Sequence, residues 1–479
     1  MTKKVMLIYP PGLLYQRGED RCQASIDASS ATSMRAANDL GYAAAVLLQR
    51  GHEVFIKDYQ TERLGLDALL DDIVAFAPSM VMLSATNATI HEDIDVVNTL
   101  KAIHDAVYVL KGAIFFDTPH QVLELLDLTN VDFLIGGEVE FSIGQIADAI
   151  YPADIPNIFY KDESGSLKKT HFGVFEQNLD SIPFPARHLM NNALYTRPDT
   201  GAKMATIQTS RGCSAACIYC LSPHISGKKI RYRSPANVMA EIEDCFSKHD
   251  IRDFFFKSDT FTMDAAWVKE LCELIIASPL HGKIAFTANS RTHPLTEETL
   301  VLMKRAGCFM VAFGYESGNE ETMKRVKKGA TIGHNLAAAK MAKKAKLPVY
   351  GFYMIGFPWE TAEHIADTRK HIFDTAPDFL EVHIAMPYYG TELHELCVQQ
   401  GAITDDVLGS NYFESGIVAT AGCTPQQLHK LRDDIMKSFY LRPGYLAKRL
   451  LDCVKRPGLL PGYVKYGLRL IRNLFRRTV

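Results

Sequence analysis

Cys213, Cys217 and Cys220 lie in the run Thr209-Ser210-Arg211-Gly212-Cys213-Ser214-Ala215-Ala216-Cys217-Ile218-Tyr219-Cys220. They gather three thiolates in one short segment, and thiolates are the soft donors that zinc and iron–sulfur clusters select. Both kinds of site are ordinarily completed by four ligands. If the three cysteines hold a 4Fe-4S cluster, one iron has no protein ligand and stays open to a small molecule, an arrangement suited to catalysis. The alternative is a structural zinc ion that recruits a fourth ligand such as His224 or Cys245. Spacing alone leaves both open. The other cysteines, Cys22, Cys245, Cys272, Cys308, Cys397, Cys423 and Cys453, are scattered in mostly apolar surroundings and read as reduced core thiols.

The elements that must position these thiolates are legible as two βα arrays. Apolar runs at Val5 to Tyr9, Val54 to Asp58, Met80 to Ser84, Val107 to Leu110 and Val131 to Ile135 alternate with helical patterns, which predicts a doubly wound parallel sheet over residues 1–150. Ligands of such sheets bind at the carboxyl ends of the strands. Those ends carry Pro11, Thr86, Asn87, Gly136 and Glu138, small or polar residues that suit either a large cofactor or tight turns. A Pro-rich, weakly periodic linker fills 151–199. From residue 200 to about 400, strands are predicted at Met204 to Thr209, Asp253 to Ser258, Ile284 to Asn289, Phe309 to Glu316, Val349 to Gly356 and Phe379 to Met386. Six βα-type repeats imply a partial (β/α)6 barrel with its chemistry at the strands' carboxyl ends, and the cysteine loop follows the first of these strands. The expected fold class is therefore α/β, a doubly wound N-terminal domain followed by the partial barrel, with a basic helical tail over 401–479.

Composition bounds the rest. The chain has 479 residues, 47% of them hydrophobic, and a net charge of −3, as expected of a chain with two or three well-filled cores. The amino terminus has too short an apolar run for a signal peptide, and no long uncharged apolar stretch follows, so the expected location is cytoplasmic. Residues 442–479 hold ten Lys or Arg against the single acid Asp452, leaving about −12 on the rest by subtraction. The stretch from Tyr463 to Arg477 mixes Leu, Ile, Phe and Tyr with Arg at helical spacing. Two readings stand: a helix in peripheral contact with an anionic membrane, or a helix packed on the barrel with a solvated basic face. Nucleic acid is disfavoured as a partner, because outside the tail the chain is acidic and carries no basic aromatic groove.

With its loop placement, Cys-x-x-x-Cys-x-x-Cys and an aromatic residue, Tyr219, before the last cysteine, the chain resembles the radical S-adenosylmethionine enzymes over roughly residues 200 to 400. The resemblance implies a 4Fe-4S cluster on the three cysteines, S-adenosylmethionine at the open iron, and a flavodoxin or ferredoxin-type electron donor. Where the family often has Gly-Gly-Glu after the second strand this chain has Lys257-Ser258-Asp259-Thr260, making Asp259 the candidate partner of the methionyl amine. Gly314-Tyr315-Glu316-Ser317-Gly318 resembles the ribose site, with Glu316 accepting from the hydroxyls. The run from Gly351 to Glu360 resembles Gly-x-Ile-x-Gly-x-x-Glu, which places Gly351, Ile355 and Gly356 near adenine. Arg291 is a candidate for the methionyl carboxylate, with a surface or structural salt bridge as its alternative.

The open sheet before the barrel resembles the cobalamin-binding branch of that family. That likeness implies cobalamin held by the first domain, although none of the sixteen histidines stands in an Asp-x-His-x-x-Gly context; a degenerate domain without cofactor is the alternative. The branch implies methyl transfer to an unactivated carbon of a small hydrophobic substrate, lipid or porphyrin-like. Its anaerobic cyclases and oxidoreductases offer a second reading, and a cluster-bearing sensor or binding protein a non-enzymatic one. Tyr353, His383 and Tyr388 are candidates for the substrate pocket. No side chain is assigned as acid, base or nucleophile.

Overall fold

A computed structural model of the protein describes residues 2–17, 25–27, 29, 34–116, 120–410 and 416–475. The first sheet contains β1 (Lys4–Tyr9), β2 (Glu53–Asp58), β3 (Met80–Ser84), β4 (Val107–Lys111), β5 (Phe133–Ile135), β6 (Ile158–Lys161) and β7 (Leu167–Lys169). Its order is β2-β1-β3-β4-β5-β6-β7, parallel through β5, with β6 and β7 added antiparallel at the edge. The strands β1 and β3 are almost wholly apolar and buried, as strands covered by helices on both faces must be. Because the order reverses between β1 and β3, their carboxyl ends flank the crevice where such sheets bind ligands. The sheet therefore runs past residue 150, into the stretch expected to be linker. Strands β6 and β7 are only four and three residues long and carry Lys and Tyr, too little pattern to stand out.

The second array contains β8 (Met204–Gln208), the two-residue β9 (Ser210–Arg211) and β10 (Arg231–Tyr232), then β11 (Asp253–Lys257), β12 (Ala285–Ser290), β13 (Cys308–Glu316), β14 (Val349–Ile355) and β15 (Phe379–Ile384). The six long strands form one parallel sheet in the order β15-β14-β13-β12-β11-β8, an open partial barrel. Its helices start where the sequence supplies caps. Ser234 accepts from Asn237 N–H at the head of Pro235–His249, with Pro in its first turn, and Asp264 caps Ala265–Ala277; each cap satisfies an otherwise unpaired N–H. Three helices follow the barrel, Pro425–Tyr440, Pro443–Lys455 and Leu460–Phe475. The thiols of Cys245, Cys272, Cys308, Cys397 and Cys423 are buried, as expected of core cysteines; Cys453 is partly exposed, and Cys22 lies outside the described residues.

Buried ion pairs join the two arrays. Arg211, one residue before the glycine that opens the cysteine loop, reaches Glu140 and, at 3.4 Å, Glu138 of the first domain. Arg231 reaches Glu138 at 2.6 Å. On the linker side, Arg187 binds Glu241 at 2.7 Å, and Asn38 donates to the Thr206 carbonyl at 2.9 Å. Buried carboxylates of this kind persist only when paired.

Candidate active site

The cysteine loop is built around Gly212. Its φ is 94°, and a Cβ there would lie 2.2 Å from the Lys229 carbonyl oxygen, so only glycine fits this turn. Cys213 N–H then donates to Gly227 O at 3.0 Å, Cys220 N–H to Cys217 O at 3.2 Å and Ile218 N–H to Val326 O at 3.2 Å. Asp259, just past β11, ties the loop's two ends together: it accepts from Gly212 N–H at 3.1 Å and from the Ser222 hydroxyl at 3.0 Å. Ser222 N–H also points at Cys220 Sγ at 3.5 Å, a hydrogen bond of the kind that tunes a cluster sulfur.

Cys213, Cys217 and Cys220 all line one cavity of ≈ 700 Å³, a volume in the range of small-molecule and cofactor sites. Among the described residues no group of three or more His, Cys, Asp or Glu converges as a single-ion site. The two residues considered as a fourth zinc ligand are placed elsewhere: Cys245 is buried in the barrel core, and the His224 ring packs on Phe116 with centroids 4.5 Å apart. Three thiols on one cavity are the soft donor set that a 4Fe-4S cluster would take.

Beside the thiols stands an ionic group. Glu316 ends β13 with φ 63°, in the left-handed region that costs a non-glycine residue about 1–2 kcal/mol. Its carboxylate is bound by Lys328 and by the Tyr219 hydroxyl, and Lys328 Nζ also donates to Gly314 O at 2.7 Å. Burial pushes the Tyr219 hydroxyl well above its ordinary pKa, with the charge of Cys217 next in effect, so it remains a donor. Arg291 donates to the Lys328 carbonyl and, at 3.3 Å, to that of His293. Asp259, Arg291, Glu316 and Lys328 line the same cavity as the thiols. Lys328 was not foreseen, because it sits in a loop after Glu320–Arg325 with no periodicity to mark it. Asn289 also lines the cavity and was legible in principle, since Thr287 and Asn289 alternate along one face of β12 toward Arg291 just beyond it.

Alternation also corrects the reading of β14. Phe352 and Met354 line the cavity, so their neighbours in the strand point to the helical layer. Tyr353, expected in the substrate pocket, is fully buried on that outer side, where its hydroxyl meets Thr375 at 2.7 Å. Gly351 and Ile355 face the same way: a Cβ on Gly351 would come 3.1 Å from Pro377, and Ile355 is in the core. Only their backbone is available to an adenine. His383 and Tyr388 do line the cavity.

The adenine-like motif folds through its own acid. Gly356, with φ 94°, and Phe357 donate backbone N–H to Glu360 at 2.7 and 3.1 Å. Burial pushes the Glu360 carboxyl up to about 7, against those hydrogen bonds. A native pKa raised above its unfolded value means that the folded chain holds the extra proton. Stability from this group is therefore full below pH about 4.5 and falls as pH rises to about 7, by about 3 kcal/mol over the window. Glu360→Gln is expected to flatten the decline of the urea midpoint between pH 5 and 7; an unaltered slope would assign it to other groups.

The first-domain candidates are mostly engaged within the protein. Glu138 turns to the barrel arginines rather than to a crevice, since Arg231 and Arg211 hold it. Gly136 serves a backbone crossing: a Cβ there would lie 2.0 Å from Phe115 O. Asn87 donates to the carbonyls of Val407 and Ser410 at 2.6 and 2.9 Å, and Thr86 caps the turn at Thr89. Pro11 is partly exposed just beyond β1. Among the described residues of the first domain, Gln16 and Arg35 reach the cavity; the Arg35 guanidinium lies 4.2 Å from the Phe255 ring centroid.

Comparison with known proteins agrees with this geometry. Residues 207–372 match the model of the radical SAM superfamily. An uncharacterised methyltransferase of Pyrococcus horikoshii is 29% identical over 85% of this chain and 88% of its own length. The cytidylyl-2-hydroxyethylphosphonate methyltransferase of Streptomyces wedmorensis is 26% identical over 88% and 86%. The structure of OxsB, a cobalamin-dependent S-adenosylmethionine radical enzyme with aqua-cobalamin and S-adenosylmethionine bound, superposes with a TM-score of 0.72 at 14% identity, covering 99% of this chain and 72% of that one. The stretch that matches the radical SAM model, about a third of the chain, holds the cysteine loop that follows the first strand of the six-stranded βα half-barrel and opens on the cavity. The doubly wound domain ahead of the barrel gives the chain a fold like that of OxsB.

Proposed function

We propose that the protein is a cobalamin-dependent radical S-adenosylmethionine methyltransferase that methylates an unactivated carbon of a hydrophobic small molecule. The observation that carries this reading is the cavity shared by Cys213, Cys217, Cys220, Asp259, Arg291, Glu316 and Lys328. The three cysteines would hold a 4Fe-4S cluster, which when bound supplies the single electron that cleaves S-adenosylmethionine. The chain's own residues then have positional tasks. Asp259 holds the loop shut and would accept from the methionyl amine, Arg291 and Lys328 would offer cations to a carboxylate, and Glu316 would offer an acceptor to ribose hydroxyls. The apolar wall of Phe255, Phe352 and Met354 keeps water from a reactive centre. Gln16 and Arg35, which line the cavity from the first domain, would contact a cobalamin bound at the crevice of β1 and β3, where such sheets bind ligands.

A flavodoxin or ferredoxin-type donor would supply electrons, and a lipid or porphyrin-like substrate suits the apolar wall. The basic tail would add peripheral membrane contact to a chain in which no described helix is long and apolar enough to cross a bilayer. Two methyltransferase relatives that span most of the chain favour methyl transfer over ring closure. Methyl-labelled S-adenosylmethionine tests the choice: label in the product of reconstituted, reduced protein supports methyl transfer, and deoxyadenosine formed with no label transferred would assign a cyclase or oxidase.

A further inference from the structure

The cavity does not end at the strands' carboxyl side. Its lining includes Met204 at the start of β8, Met310 near the start of β13 and Phe379 at the start of β15, so it continues down the barrel to the amino ends of the strands. There it meets the tail: Lys455, Arg456, Tyr463 and Tyr466 line it as well. The middle of this passage is apolar and its base is cationic. The acids at the base already have partners, Asp378 with Lys448 and Arg449, Asp452 with Arg449, and Asp199 with Arg197. Lys304, Lys346, Lys455 and Arg456 are exposed at the same rim, and none of them takes part in an ion pair among the described residues.

Helix Leu460–Phe475 reconciles the two readings of the tail by having two faces. Tyr463, Tyr466 and Leu470 turn inward, with Leu470 packed on the barrel core. Leu460, Val464, Leu468 and Ile471, spaced by four, four and three residues, form an outer stripe with exposures of 51, 51, 63 and 48%. Lys465 and Arg472 flank it. Helix Pro443–Lys455 repeats the pattern with Leu446, Leu450 and Val454 exposed at intervals of four. Apolar stripes edged by cations are the form of helices that lie in the interface of an anionic bilayer. A second copy of the chain would bring the same excess of positive charge to this face, whereas anionic lipid headgroups complement it.

We infer that the base of the barrel is a lipid entrance: the two C-terminal helices lie on an anionic bilayer, and Lys304, Lys346, Lys455 and Arg456 receive the phosphate of an amphiphile whose apolar part enters the passage. This deepens the proposed function by naming the substrate class, an anionic lipid, and the side from which it comes.

The test uses the full chain without iron or cofactors, so its outcome is independent of methyl transfer. Vesicles of phosphatidylcholine with 30% phosphatidylglycerol, about the anionic content that polybasic segments sense, are expected to carry the protein in flotation, and pure phosphatidylcholine vesicles are not. The double substitution Val464→Glu with Leu468→Glu should abolish flotation with circular dichroism unchanged. Lys304→Glu with Lys346→Glu, both outside the tail, should float like wild type but retain at least about tenfold less phosphatidylglycerol by native mass spectrometry, as loss of two headgroup cations implies. Equal flotation on both vesicle types, flotation of the Val464→Glu/Leu468→Glu protein, or undiminished lipid in the lysine variant would overturn the inference. So would a dimer in light scattering that Val464→Glu/Leu468→Glu dissociates, since the stripe would then be a self-interface.

Discussion

Cys217→Ala is expected to abolish iron loading and reductive cleavage of S-adenosylmethionine while leaving the fold in place. Wild-type protein reconstituted without oxygen should bind about four irons per chain. Loss of an outer partner of a metal ligand alone costs 10–100-fold, so loss of a ligand should exceed about 10²-fold in turnover. The fold should persist because the loop is held by backbone bonds and by Asp259, none of which uses the Cys217 thiol. Cys245→Ala, made in parallel, should load iron normally, because that thiol lies in the barrel core away from the loop. Wild-type iron content and turnover in the Cys217 variant, or zinc in place of iron in the wild type, would refute the assignment.

Glu316→Gln is expected to weaken both binding and stability, and the two effects separate. The carboxylate is 8% exposed and is the ionic partner of Lys328, which is 6% exposed. Removing one member of a buried pair costs about 3–5 kcal/mol, because the other charge is left unmatched. On the proposed role of Glu316 as acceptor of ribose hydroxyls, its loss should also raise the Kd for S-adenosylmethionine by at least about tenfold. Adding Lys328→Met should restore most of the stability, since an apolar side chain of similar size needs no partner. It should not restore affinity. Urea denaturation of the apoprotein reads the first effect and titration calorimetry the second; recovery of both in the double variant would make Glu316 structural only.

What was legible in the sequence was local. The cysteine spacing, the six barrel strands and the five parallel strands of the first sheet are each carried by a short run of residues, and their observed bounds lie within about two residues of the apolar runs. Edge strands β6 and β7 escaped because three or four half-polar residues make no pattern. Tyr353 lies toward the carboxyl end of its strand, as pocket residues do, but a strand alternates regardless of chemistry, and Phe352 and Met354 take the inner face. Glu138, Asn87 and Lys328 escaped for another reason: the partners of the first two, Arg231 and Val407, are remote in sequence, and Lys328 itself sits in a loop without periodicity, so no spacing rule announces such pairs.

The arginine pairs between the domains bear on modularity. Arg211 precedes the glycine of the cysteine loop and is anchored in Glu140 and Glu138, beside Arg231. A barrel excised from its first domain would keep all three cysteines of the loop yet expose two cations meant for burial, next to the loop that must hold its shape. The first domain is thus part of the scaffold of the thiolate site as well as its neighbour. Exchanging it for another sheet of the same topology would succeed only if the graft carried acids at the positions of Glu138 and Glu140.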